Sequence, residues 1–137
     1  MKKIIAIAVL VLISIAAKFP KNSKAEIARK GFTAAINKDV TAFEEICDSN
    51  VVISIYTDGA ESSKTVFKGK EGAMAFMEHR NNFEVYNFTN MQFKELGEKV
   101  VITGRFEGKL IGKPDFTKDY VGVAVFKDDK VLYYYAF

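Results

Sequence analysis

The hydrophobic pattern of the last nineteen residues, 119–137, predicts two strands joined by a tight turn. β-Branched and aromatic residues fill both arms, and the polar residues gather at the tip. A tip of two or of four residues gives the same pairing, with Phe126 opposite Val131. The register continued from that pair places Gly122 opposite Tyr135. We therefore expect a regular hairpin.

Both faces of this hairpin are apolar, so both need a cover. On one face small residues lie opposite large aromatic rings. The tyrosines of this face are expected to fill the core or line a pocket, and they are Tyr120, Tyr133 and Tyr135. The other face is a contiguous apolar patch of the kind that marks an interface between subunits. Its members are Val121, Val123, Val125, Leu132 and Tyr134.

In the first half of the chain, apolar residues recur mostly at helical spacing and not with the alternation of a strand. Ser23 and Glu26 form a capping box at the start of an amphipathic helix, and Asp39 caps a second, shorter helix. A strand is predicted over Val51–Tyr56, and a third helix over Gly69–His79. The helices therefore precede most of the predicted strands.

From Phe83 onward the chain is almost all strand. Residues 99–110 alternate cleanly, with Val100 and Ile102 on one face and Arg105 and Glu107 on the other. Helices followed by an antiparallel meander predict an α+β domain, in which a curved antiparallel sheet wraps around three N-terminal helices.

The amino-terminal seventeen residues match a secretory signal peptide. Lys2 and Lys3 precede an apolar run, and small residues near Ala16 and Ala17 suit cleavage. A membrane anchor is the alternative, but the run is shorter than the roughly 20 residues of a span. We expect residues 1–17 to be the signal, 18–22 a short linker and 23–137 the domain. The protein would then be exported, periplasmic or secreted, with no stable membrane span after cleavage.

Composition excludes several classes of function. Hydrophobic residues make up 49% of the chain and charged residues 27%, which suits a packed domain. Without Lys2 and Lys3, 18 basic residues face 17 acidic ones, and no basic cluster is interleaved with aromatic residues, so nucleic acid is not an expected partner. The single cysteine, Cys47, lies in an apolar pattern and is interpreted as a small buried hydrophobic residue. One His and one Cys cannot supply a zinc-type ligand set within one chain, so no metal is expected.

The order of these elements resembles the SnoaL-like branch of the nuclear transport factor 2 (NTF2)-like superfamily. The segments that carry the resemblance are Ala34–Phe43, Phe67–Phe76 and Tyr120–Phe137. It implies a cone-shaped fold with an apolar pocket between sheet and helices, and often a homodimer through the outer sheet face. It does not imply one reaction, because function in such families depends on the site.

The candidate chemistry is sparse. Asp58 before Gly59, and His79 at the end of the third helix, are the weak candidates for a general base. Structural roles are the favoured interpretation, with Asp58 as a turn former and His79 as a helix-end residue that complements the dipole. No complete catalytic set of the superfamily's enzymes overlays this chain. The candidate ligand-binding residues are Tyr56, Arg105, Tyr120, Tyr133 and Tyr135.

Three functions follow as hypotheses. The first is an exported, non-catalytic domain that binds a small apolar or aromatic molecule in the cone, without a cofactor. The second is a cofactor-independent lyase or isomerase of small hydrophobic substrates. The third is a dimeric assembly module whose pocket is filled by its own side chains.

Overall fold

The computed structural model describes residues 23–137. The predicted signal peptide and linker lie outside these residues. No helix in 23–137 has the length and hydrophobicity needed to cross a bilayer. The helices are α1 (Lys24–Ile36), α2 (Val40–Ile46) and α3 (Gly69–Arg80), with a short 3-10 turn at Glu61–Ser63. The strands are β1 (Cys47–Tyr56), β2 (Lys64–Lys68), β3 (Phe83–Leu96), β4 (Lys99–Leu110), β5 (Phe116–Lys127) and β6 (Lys130–Ala136).

The first two helices begin at their predicted caps. The Ser23 hydroxyl accepts a hydrogen bond from the backbone N–H of Glu26, at 3.2 Å. The Asp39 carboxylate accepts one from the backbone N–H of Ala42, at 3.1 Å. Each cap satisfies a backbone donor that the first helical turn leaves unpaired. The polar residues before these helices therefore set where each one starts.

The six strands form one curved, open sheet in the order β2-β1-β6-β5-β4-β3. The α+β architecture predicted from the sequence is confirmed, but the sheet is mixed, because β1 and β6 run parallel. A parallel pair needs a long crossover connection, and the whole segment from β2 to β5 supplies it. This non-local pairing has no signal in the local hydrophobic pattern.

The core lies between the helices and the inner face of the sheet. Val51, Ile53, Val100 and Ile102 are its largest fully buried side chains. The alternation predicted for β4 is confirmed, since Val100, Ile102 and Phe106 are buried. Helix α1 packs against β3 and β4, and α3 packs against β1 and β2. The three helices thus cover one face of the sheet.

The β5–β6 hairpin has the predicted turn. Lys127 pairs with Lys130, and the two residues between them adopt left-handed φ angles, 50° at Asp128 and 62° at Asp129. Positive φ at both central residues is typical of the type I′ turn that joins twisted antiparallel strands. The predicted pair Phe126–Val131 is also confirmed.

Beyond that pair the predicted register is wrong by one residue. A bulge between Val125 and Phe126 leaves Leu132 as an extra residue, so Val125 faces Tyr133 and Ala124 faces Tyr134. An extra residue in one strand moves every later side chain to the opposite face. Tyr134 therefore turns toward the helices, while Tyr133 and Tyr135 turn away from them.

Candidate functional site

A cavity of about 420 Å³ lies between the helices and the inner face of the sheet. This volume is within the range of roughly 300–1,000 Å³ that small-molecule sites occupy. The walls are mainly aliphatic and aromatic, and α1, α2, α3 and five of the strands contribute to them. The aromatic wall residues are Phe32, Phe43, Phe76, Phe83, Tyr86, Phe88, Phe106, Phe116, Tyr120, Tyr134 and Phe137.

Two phenols meet inside this cavity. Tyr120 on β5 and Tyr134 on β6 share a hydrogen bond between their hydroxyl groups. The edge of the Phe32 ring packs against both, with ring centroids 5.7 Å from Tyr120 and 6.3 Å from Tyr134. Phe88 supports Tyr120 at 5.0 Å. The aromatic packing fixes a polar pair within an otherwise apolar wall.

Gly122 makes room for this phenol pair. A Cβ atom at this position would lie 2.7 Å from the Tyr134 hydroxyl oxygen and 3.1 Å from Cε1 of Tyr120. Gly122 pairs with Ala136 across the hairpin, so a small residue occupies each strand at this level. The absence of a side chain here lets the two rings approach each other.

Two phenols of the cavity, those of Tyr86 and Tyr134, are held in their neutral form by raised pKa values. Burial raises the pKa of Tyr86 to about 12, although the nearby Arg80 charge partly opposes that shift. Burial, followed by the nearby Tyr86, raises the pKa of Tyr134 well above its usual value. A neutral phenol can both donate and accept a hydrogen bond. The interior of the cavity therefore presents hydrogen-bonding hydroxyls without a negative charge.

Arg80 positions Tyr86 and closes the end of α1. Its Nε donates to the carbonyl of Ala35 at 2.8 Å, and Nη2 donates to that of Ile36 at 3.1 Å. The guanidinium lies 4.4 Å from the centroid of the Tyr86 ring. The final carbonyls of a helix lack partners within the helix, and a cation is a favourable donor to them. Arg80 is a structural residue that connects α3 to α1.

Lys118 lies where the cavity meets solvent. It is half-buried, and its Nζ donates a hydrogen bond to the backbone carbonyl of Thr57 at 3.3 Å. Burial lowers the pKa of this ammonium. Our sequence reasoning missed Lys118. The alternation of side chains along β5 could have indicated it, because every second residue shares a face and Lys118 therefore lies on the same face as Tyr120 and Gly122.

His79 on α3 and Cys47 at the start of β1 both line the cavity. His79 is exposed at the rim, between the rings of Phe67 and Phe83 and 3.5 Å from the Asn82 amide nitrogen. Cys47 is partly buried in the wall, and burial raises its thiol pKa to about 12. A protonated thiol is a poor nucleophile, which agrees with the interpretation of Cys47 as a small hydrophobic residue.

Asp58 does not line the cavity. It lies in the exposed turn after β1, where its carboxylate accepts a hydrogen bond from the backbone N–H of Ala60 at 3.2 Å. Hydrogen bonds from Ser63 and then Ala60 lower the pKa of this carboxyl. A carboxylate that acts as a general base needs the opposite shift, a pKa raised toward neutral pH. The structure therefore places Asp58 as a turn residue.

Of the five predicted ligand-binding residues, the cavity wall includes Tyr120 and not the other four. Tyr133 and Tyr135 stack on each other, 6.4 Å between centroids, on the outer face to which the bulge turns them. Arg105 is on the same outer side, because alternation in β4 directs Phe106 inward. It donates to the Asp119 carboxylate at 2.8 Å. Tyr56 stacks on Phe137 instead, at 4.9 Å.

The cavity also contains residues that the sequence analysis did not select as ligand-binding. Tyr86 and Phe88 alternate along β3, and this short alternation was the available signal. A regular hairpin would place Tyr134 on the outer face, and the bulge brings it into the cavity. Among residues 23–137 no carboxylate lines the cavity wall, and no three His, Cys, Asp or Glu side chains gather as a metal site requires.

A family model described as the SnoaL-like domain matches residues 28–134. The search among curated proteins gives no match. An NTF2-like protein of unknown function from Burkholderia pseudomallei superposes with a TM-score of 0.72 and 18% identity, over 85% of this chain and 91% of that chain.

Two further solved structures share the architecture. A putative polyketide cyclase from Pseudomonas putida has a TM-score of 0.72 and 13% identity, over 85% of this chain and 92% of that chain. A putative isomerase from Bacillus subtilis has a TM-score of 0.68 and 20% identity, over 82% of this chain and 84% of that chain. At these identities the likeness is one of fold, and the chemistry must be argued from the cavity.

Proposed function

The chain belongs to the SnoaL-like domain family, and from the character of its cavity we propose that it is a non-catalytic binding protein for a small apolar or aromatic molecule. The observation that carries the proposal is the apolar cavity of about 420 Å³, whose inner polar groups are neutral phenols. No carboxylate within 23–137 lines it to act as a base. An aromatic wall with a few hydroxyls favours binding and orientation of a ligand over proton transfer.

Native mass spectrometry of the protein purified from its own host tests this proposal. The expected result is a carried ligand released on unfolding. Ala28→Leu, which adds a larger side chain to the cavity wall, should purify without it. Thr33→Leu is the matched control, because Thr33 is exposed on the same helix and lies outside the cavity wall. A folded wild-type protein that carries no ligand and binds no apolar probe would overturn the proposal.

A second candidate is a cofactor-independent lyase or isomerase. The phenol pair of Tyr120 and Tyr134 favours it, because a hydroxyl pair can stabilise an oxyanion, and His79 at the rim is a group able to move a proton. Incubation of the recovered ligand with fresh protein distinguishes the two functions. Chemical change that is lost in His79→Gln would support the enzyme, whereas unchanged ligand supports binding alone.

The proposal includes export and a homodimer. The leader over residues 1–17 motivates export, and mass measurement of the protein isolated from the periplasm or medium should show cleavage near Ala16 or Ala17. A mature protein that retains the leader would contradict cleavage. The dimer would form through the outer face of β5 and β6, where Val121 is 42% exposed and Tyr133 is 39% exposed. The partner subunit would then shield this apolar face from solvent.

A further inference from the structure

Lys118 is a cation at the mouth of an apolar cavity, and it has no acidic partner among residues 23–137. Its Nζ bonds to a neutral acceptor, the Thr57 carbonyl oxygen. None of the ion pairs within residues 23–137 includes Lys118. In the strand register Phe106 of β4 lies opposite Lys118, and Phe116, two residues earlier on β5, also belongs to the cavity wall. Aromatic wall residues thus occupy strand positions next to Lys118.

Within residues 23–137, protein acceptors use only part of the hydrogen-bonding capacity of this ammonium. It has three N–H donors, and the Thr57 carbonyl takes one of them. Partial burial removes water from the charge, and an anion would compensate for that loss. Because a long aliphatic stem leads to the charge, the head lies near solvent while the stem extends along the apolar wall. The remaining donors have no acceptor among the described residues and can donate to a ligand that reaches the mouth.

We infer that the ligand of this cavity is an amphipathic monocarboxylate, with its apolar body inside the cone and its carboxylate bound by Lys118. This inference rests on the proposed function. One lysine balances one negative charge, so a singly charged head matches the site. The apolar wall excludes an ionised group from the interior, and the phenol pair of Tyr120 and Tyr134 would receive a second, uncharged polar group.

Calorimetric titration with decanoate and decanol tests the inference. The two probes share an apolar chain and differ in charge at the head. The full chain should bind decanoate about tenfold or more tightly than decanol, since a charge-assisted hydrogen bond to a partly buried ammonium adds to the same apolar contact. Lys118→Met should lose this preference and still bind decanol.

Two further variants separate the charge from general effects. Lys113→Met removes an exposed lysine from the loop between β4 and β5, and it should keep the preference for decanoate. Lys118→Arg keeps a positive charge at the mouth and should retain most of the preference.

The outcomes also separate this inference from the proposed function. Equal binding of decanoate and decanol by the wild type would overturn the inference and leave an apolar binding protein. A preference that survives in Lys118→Met would likewise overturn the role of Lys118. Binding of neither probe by folded wild-type protein that also carries no ligand from its host would overturn both proposals together.

Discussion

Gly122 shows how one residue controls the polar centre of the cavity. The space that a Cβ atom would need is occupied by Cε1 of the Tyr120 ring, at 3.1 Å, and by the Tyr134 hydroxyl oxygen, at 2.7 Å. These rings are held by Phe32 and cannot move aside without losing their packing. The hydrogen bond between the phenols therefore depends on the absence of a side chain.

We predict that Gly122→Ala lowers the free energy of unfolding by about 1–3 kcal/mol, because overpacking forces one ring out of place. Urea denaturation measures the change. Gly31→Ala is the matched control, since its Cβ atom would meet the end of the flexible Ile46 side chain and alanine favours the helix. Equal losses in the two variants would contradict the proposed role of Gly122.

Tyr86 makes stability depend on alkaline pH. Its phenol ordinarily ionises near 10.0, and burial raises its pKa in the folded protein to about 12. The unfolded chain therefore releases this proton first. The contribution of Tyr86 to stability is complete below pH 10 and is lost as the pH rises toward 12.

We predict that the free energy of unfolding falls between pH 10 and 12, by about 1.4 kcal/mol per pH unit for each such group. Cys47 adds to the fall and begins to do so lower, near pH 9, since burial raises its pKa from 9.0 to about 12. Tyr86→Phe should show a shallower fall than the wild type. Urea midpoints measured across this range provide the test, and identical slopes would count against burial of the Tyr86 phenol.

At the scale of the elements, Arg80 joins two helices that are far apart in the sequence. Its guanidinium reaches from the end of α3 to the last carbonyls of α1, at Ala35 and Ile36. It also holds the Tyr86 ring on β3. One buried side chain thus fixes the relative positions of three elements that line the cavity.

Arg80→Met should lower the free energy of unfolding by about 1.5–3 kcal/mol, because charged hydrogen bonds are lost and buried carbonyls are left without donors. Arg29→Met is the control. Arg29 is exposed and stacks on Phe93 at 4.3 Å, a contact worth about 0.5–1 kcal/mol. Denaturant titrations of both variants give the comparison. A loss for Arg80→Met no larger than that of Arg29→Met would show that the connection is dispensable.

At the scale of the whole molecule, the sheet has one covered face and one open face. The helices and the cavity occupy the inner side, while the outer side of β5 and β6 presents Val121, Val123 and the stacked pair of Tyr133 and Tyr135. Arg105 and Asp119 form an ion pair beside this patch. An apolar centre with a polar rim is the usual arrangement of a protein interface.

We predict a homodimer in the micromolar range that Val123→Lys weakens tenfold or more, because two lysines would be buried across the interface. Sedimentation velocity measures the dissociation constant. Gln92→Lys introduces the same charge at an exposed position on β3 and should leave it unchanged. A wild-type protein that sediments as a monomer at these concentrations would contradict the dimer.

The sequence by itself determined the elements and most of the core. Caps at Ser23 and Asp39 start the helices where predicted, and alternation in β4 assigns Val100 and Ile102 to the interior. These are local signals, because a cap acts within one turn and a strand alternates with a period of two. The pattern also predicted the turn of the last hairpin.

The tertiary structure decided which tyrosines enter the cavity and what surrounds them. A single bulge in the β5–β6 hairpin turned Tyr134 inward and Tyr133 outward, and no residue type in the segment announces that extra residue. The parallel pairing of β1 with β6 and the reach of Arg80 to α1 are equally non-local. When both faces of a hairpin are apolar, a one-residue shift of the strand register still buries apolar residues on either face, so the local hydrophobic pattern does not distinguish the two registers. The packing of rings around Gly122 therefore determines which face becomes the cavity wall.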